Sequence, residues 1–301
     1  MGNGRHLVLS SFVLKILAIL CMTLDHVKDM LLSVYPAAST EGTALYVIVF
    51  IMNIFGRMAM PLFCLMLAEG LRRTKDRVKY LLRLSIIFGI MLLAELIISF
   101  TRYGSVPMAN AFADLLAYAL FIFLLEQKRW PLRFLAILPV AWIVYSYVGR
   151  VYEFNNGFVA PVWALPNYIR CDYSLLGFLF FLGFYYAVPL TERIVRKNLE
   201  DAADAYLESP QYQGMLNATR AGIFVLVTVL FWALSYLPMD WSLDYYYMSG
   251  VVLTQTYCLL AIVPIILYSG KRGYDAKWFR YFEYLYYPMH LAIIALIFVL
   301  I

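Results

Sequence analysis

Uninterrupted apolar runs decide what this chain can fold into. Several approach or exceed the roughly 20 residues that an α-helix needs to cross a bilayer. The stretch from Phe12 to Leu24 is broken only by Lys15, and comparable runs follow at 44–71, 219–237 and 280–301. Lipid offers the backbone no hydrogen-bond partner, so such runs must close their own bonds as helices. Composition agrees: charged residues make up 14% of the chain, where a soluble domain carries about a quarter. The sequence therefore predicts an all-α, polytopic membrane helix bundle, a single domain over 1–301.

About nine spans (8–10) are expected, near 10–33, 44–71, 78–100, 108–126, 131–148, 173–190, 219–237, 246–268 and 280–301. Lysine and arginine mark cytoplasmic connections. They cluster after the second span (Arg72, Arg73, Lys75, Arg77, Lys79), the fourth (Lys128, Arg129, Arg133), the sixth (Arg193, Arg196, Lys197, Arg220) and the eighth (Lys271, Arg272, Lys277, Arg280). The alternation places the N-terminus in the cytoplasm and the C-terminus outside, in a bacterial inner membrane. Two connections are long: an outer loop at 149–172, suited to a lid or re-entrant segment, and a cytoplasmic loop at 191–219 with a short surface helix around Glu200–Glu208. No cleavable signal peptide is expected, because the first span is too long and too early charged. The four cysteines show neither disulfide nor metal spacing, so no metal is expected. The net charge of +5 is a topology signal and calls for no nucleic acid.

Ionisable groups at bilayer depth are costly and mark functional sites by default. Counted along the spans at about 1.5 Å per residue, Asp25, His26, Arg57, Glu95, Asp114 and His290 fall between mid-membrane and the outer surface. Asp172–Tyr173 opens the sixth span beside them. Asp25 and His26 are neighbours about 100° apart on a helix and cannot face each other. One faces a cavity while the other braces a neighbouring helix. Arg57 suits either a counter-ion for Asp25, Glu95 or Asp114, or a substrate binder. His290 suits either an inter-helix hydrogen bond or chemistry. Glu69, at the inner end of its span, reads as interfacial. Pro61 and Pro288 are expected to kink their helices.

At these residues the chain resembles the TraX family of membrane acetylases that modify pilin N-termini, and more widely the acyl-CoA-dependent integral-membrane acyltransferases. The matching pieces are Leu14–His26, Gly56–Phe63 running to Glu69–Gly70 and Thr74, Lys79–Leu84, Asn110–Phe112, Asp172–Gly177 and Tyr286–Leu291. The resemblance implies transfer of an acetyl or other acyl group from cytosolic acyl-CoA to an amine or hydroxyl on a peptide, glycan or small molecule, at an outward-facing intramembrane cavity. In that chemistry His26 suits the general base. Asp25 or Asp114 would then orient it, and Arg57 or His290 would stabilise the oxyanion. Arg72, Arg73, Lys75, Arg77, Lys79 and Arg83 are the expected cradle for the donor's phosphates, or simply a topology signal. Glu95, Asn110, Asp172 and Tyr173 are assigned to the acceptor. Two other classes compete: a proton-coupled transporter or flippase, for which no internal repeat is visible, and a non-catalytic pilus or envelope assembly factor.

Overall fold

A computed structural model describes residues 8–35, 40–99, 110–157, 159–166, 168–239, 241 and 254–300. Apolar sequence becomes helix almost throughout. The helices are α1 (Ser11–Val34), α2 (Ala44–Gly56), α3 (Ala59–Arg73), α4 (Arg77–Ser99), α5 (Ala111–Leu125), α6 (Trp130–Phe134), α7 (Ile137–Asn155), α8 (Ser174–Leu199), α9 (Ala203–Leu207), α10 (Pro210–Leu234), α11 (Ile262–Ile266) and α12 (Lys277–Leu300). Short polar side chains start several of them by satisfying free first-turn N–H groups. Ser10 accepts from Val13, Thr43 from Tyr46 at 3.0 Å and Asn110 from Phe112 at 3.0 Å.

Four helical stretches are long and apolar enough to cross a membrane: Ala44–Arg73, Trp130–Asn155, Ser174–Leu207 and Pro210–Leu234. Apolar ridges turn outward at helical spacing, including Ile86, Ile90, Leu93 and Ile97 on α4 and Leu285, Met289, Ile293 and Ile297 on α12. So much exposed hydrocarbon is a lipid-facing surface. The chain is a membrane protein. α1 has the length but carries Lys15, Asp25, Lys28 and Asp29, so it must bury or pair its polar groups against neighbours. It does so against α2, α3 and α12, while α3 packs on α8 and α8 on α10. The interior is Leu, Phe and Ala, with Leu62, Leu65, Phe181, Phe184 and Phe224 wholly buried.

The structure corrects the sequence reading at several points. The second span is interrupted: α2 ends at Gly56 and α3 begins at Ala59. Pro61 therefore lies in the first turn of α3, where its missing N–H costs nothing. The cytoplasmic connection expected over 191–219 shrinks to about Glu200–Ser209, because α8 runs on to Leu199 and α10 starts at Pro210. Helices outlast their apolar stretch once charged residues such as Arg193 and Lys197 reach water. The outer loop at 149–172 also shortens, since α7 continues to Asn155. The eighth span, expected at 246–268, is described only from Thr254, as a 3₁₀ stretch to Ala261 followed by α11.

Candidate functional site

A cavity of about 380 Å³ lies between α1, α3, α4, α5 and α12. Its mouth is charged, with Lys15, Glu69, Arg73, Arg272, Asp275, Arg280 and Glu283 around it. Most of these are paired: Lys15 of α1 with Glu283 of α12 at 2.7 Å, Arg73 with Glu69 within α3 at 2.5 Å, and Asp275 with Arg280 and Arg272 at 2.7 and 3.2 Å. Arg280 and then Arg272 hold the Asp275 carboxyl below its usual range. Arg83 also lines the cavity and has no ion pair among the described residues. The mouth is closed on one side by backbone pairing of the N-terminal segment with the stretch before α12. Leu9 N–H donates to Leu267, Ser269 N–H to Leu9, and Ser11 and Phe12 N–H to Lys271 and Arg272. Deeper in, the lining becomes apolar, with Met22, Met60, Phe112, Leu115 and Tyr287.

One turn of α1 beyond Met22 stands His26. Its Nδ1 lies 2.7 Å from Nε2 of His290 on α12, and the rings stack with centroids 4.9 Å apart. The other nitrogen of His290, Nδ1, is 2.8 Å from the Tyr286 carbonyl oxygen. These contacts fix the tautomers of two neutral rings. A carbonyl only accepts, so His290 carries its proton on Nδ1 and accepts at Nε2. His26 must then donate from Nδ1, which leaves its Nε2 as an unprotonated lone pair. Thr23 and Tyr286, joined at 2.7 Å between hydroxyls, tie the same turns of α1 and α12 together, and Tyr286 stacks on His290.

Asp25 points elsewhere. It accepts from Arg57 Nη2 at 2.5 Å and Lys28 Nζ at 2.9 Å, and Lys28 also reaches Asp29 and Asn53. Lys28 is wholly buried, so these pairs stand where water would otherwise solvate the charge. Gly56 makes the approach possible: a Cβ there would lie 2.7 Å from Asp25 Oδ1. Arg57 is thus a counter-ion, with Gln255 3.4 Å from Nη1.

Asp114 does not support an imidazole. Its carboxylate accepts from the N–H groups of Asp172, Tyr173 and Ser174 at 2.7, 3.3 and 2.7 Å and from the Tyr118 hydroxyl at 2.8 Å. A buried carboxyl on α5 thereby caps the free N–H groups at the start of α8. Asn110 caps α5. Asp172 pairs with Arg150 at 2.9 Å, and Tyr173 gives Asp114 its main-chain N–H. The side chain of Glu95 lies outside the described residues.

The six expected phosphate ligands do not form one cradle. Only Arg73 and Arg83 line the cavity. Arg72 stacks over Tyr185, Arg77 pairs with Glu126, Lys79 pairs with Asp76 and Lys75 is exposed. They follow one another on successive turns, so helical geometry fans them around the protein. In their place the structure brings Lys15, Arg272 and Arg280 to the mouth. Sequence reasoning also missed Arg220, counted as a loop cation but wholly buried on α10 against Glu69. Glu69 is therefore a buried node between Arg73 and Arg220, and accepts from Tyr268 as well.

A family model described as TraX protein matches residues 10–186. No curated protein and no solved structure gives a significant match.

Proposed function

The chain belongs to the TraX family, and from that premise we propose that it is an integral membrane acyltransferase with His26 as general base. The observation that carries this reading is the lone pair on His26 Nε2, fixed by the His290–Tyr286 relay one turn beyond the floor of a charged-mouthed cavity. The donor is acyl-CoA, entering from the cytoplasm with its phosphates among Arg73, Arg83, Arg272, Arg280 and Lys15. The acceptor is an amine or hydroxyl. It attacks the thioester carbonyl, a bond to carbon forms, and Nε2 takes the acceptor's proton. The C–S bond then breaks and the proton passes to the departing thiolate. His290 accepts from His26 and so serves as its positioning residue, not as an oxyanion donor. A bundle of about nine spans with the N-terminus inside the inner membrane gives this cavity its cytoplasmic mouth. Peptide N-termini are the first acceptors to test.

Purified protein in lipid nanodiscs, given labelled acetyl-CoA and a peptide acceptor, is expected to yield acylated peptide. His26→Ala should lower turnover by about 10²–10⁴-fold, the usual share of a general base, while acyl-CoA still binds. His290→Ala should fall about 10–100-fold, as loss of an orienting partner does. Full activity in His26→Ala would overturn the assignment. A wild-type protein that neither acylates nor releases CoA would favour a transporter or an assembly factor.

A further inference from the structure

We infer that Tyr287 and Phe112 form the stop that sets how long an acyl chain the cavity accepts. The inference rests on the acyl-CoA reading above. Both side chains line the deep end of the cavity, and both are nearly buried, at 5% and 7% exposure. Their rings meet edge to face with centroids 4.9 Å apart, one from α12 and one from α5. Asn110 clamps the Phe112 turn by accepting from its N–H. Behind Tyr287 lie the two imidazoles, with His26 at 5.9 Å and His290 at 5.5 Å between ring centroids. The pair of rings therefore ends the cavity beside the imidazoles.

Length makes this closure a ruler. From Ser11 at the mouth to Met22 at the floor, α1 rises about 16 Å. The pantetheine arm of CoA has twelve bonds between its phosphate oxygen and its sulfur, about as many as four residues of backbone, or roughly 14 Å extended. With phosphates held at Arg73 and Arg272, the sulfur reaches the level of Met22. The carbonyl then lies about one helical turn from His26, and carbons beyond it meet the two rings. A rigid, edge-to-face pair resists overpacking, so each added carbon is penalised.

The test is binding of non-hydrolysable thioether analogues with two, four and eight acyl carbons to nanodisc-embedded protein. Binding does not depend on turnover. The wild type should prefer the two-carbon analogue over the eight-carbon one by at least roughly tenfold, the discrimination one methylene can give in a tight pocket. Phe112→Ala and Tyr287→Ala should erase that preference. Phe112→Leu and Tyr287→Leu, which keep more of the packing, should reduce it if the alanine variants do not fold. Equal binding of all three analogues by the wild type, or unchanged preference in every folded variant, overturns the stop while leaving the donor assignment standing. Binding of none of them overturns the donor assignment and the stop together.

Discussion

Asp114 offers the clearest separation of structural from chemical duty among the buried charges. Replacing it with asparagine keeps the shape but turns one acceptor into an NH₂ donor facing other donors. One oxygen remains, so one pair of donors loses its partner: Ser174 N–H and the Tyr118 hydroxyl if the amide replaces Oδ1, or Asp172 and Tyr173 N–H if it replaces Oδ2. The losses are unequal. Tyr118 has a second acceptor, the Ser174 carbonyl oxygen at 2.7 Å, so it is rescued. Asp172 and Tyr173 are only partly buried, and water can reach them. Ser174 N–H is wholly buried and has nowhere to turn. At about 1–3 kcal/mol per stranded donor, either the one full loss on Oδ1 or the two partial ones on Oδ2 come to about 1–3 kcal/mol. The measurement is reversible unfolding in mixed micelles by SDS titration, with turnover counted per folded molecule. Asp114→Asn should lose that stability and keep its turnover. A variant as stable as the wild type with collapsed turnover would refute the capping role and return Asp114 to the chemistry.

Three further outcomes follow from the geometry. Gly56→Ala forces a methyl to within 3.1 Å of the Asp25 backbone, so α1 and α2 must part, at about 1–3 kcal/mol in the same unfolding assay. Arg73→Ala should raise KM for acyl-CoA by about 10–100-fold with little change in kcat, the effect of losing a charge-assisted hydrogen bond; a fall confined to kcat would place Arg73 outside the donor site. The Asp275 clasp has its carboxyl lowered by Arg280 and Arg272. Its stabilisation is therefore complete above the ordinary carboxylate range and is lost as pH falls through the lowered value. Limited proteolysis at the mouth should speed up in acid, and Asp275→Asn should remove that dependence.

What could be read in the sequence follows from what a bilayer imposes. Hydrocarbon thickness sets the length of an apolar run, so the ends of α1, α4 and α12 are legible to within a few residues. The expense of charge in lipid likewise singles out His26, Arg57 and His290. Which of these residues touch is a different matter. The pairing of His26 with His290 needs α1 and α12 to be neighbours, and that depends on packing across 264 positions of separation. Asp25 and Asp114 carry the same signal as His26 but spend it on bracing helices. Arg220 shows the reverse error: counted with loop cations, it is buried on α10, which begins at Pro210, before the apolar stretch expected from 219. The family resemblance could not correct these readings, because it fixes order along the chain and not contacts between helices.

The matched region ends at residue 186, yet the candidate site does not. Tyr287 from α12, and Arg272, Asp275 and Arg280 just before or within it, complete a cavity whose other walls come from α1, α3, α4 and α5, and Tyr286 and His290 meet Thr23 and His26 beyond it. The matched part contributes His26 and the caps that hold α5 and α8. The part beyond it contributes the residue that orients His26, half of the aromatic floor and much of the charge at the mouth. The two parts meet at side chains that cannot act separately: without α12, His26 loses the acceptor that fixes its tautomer, and Lys15 loses Glu283. Docking of α12 against α1 is therefore the step that gives His26, the proposed base, its hydrogen-bond partner. The clasp of Leu9–Phe12 on Leu267–Arg272 holds the two helices in register at their charged ends.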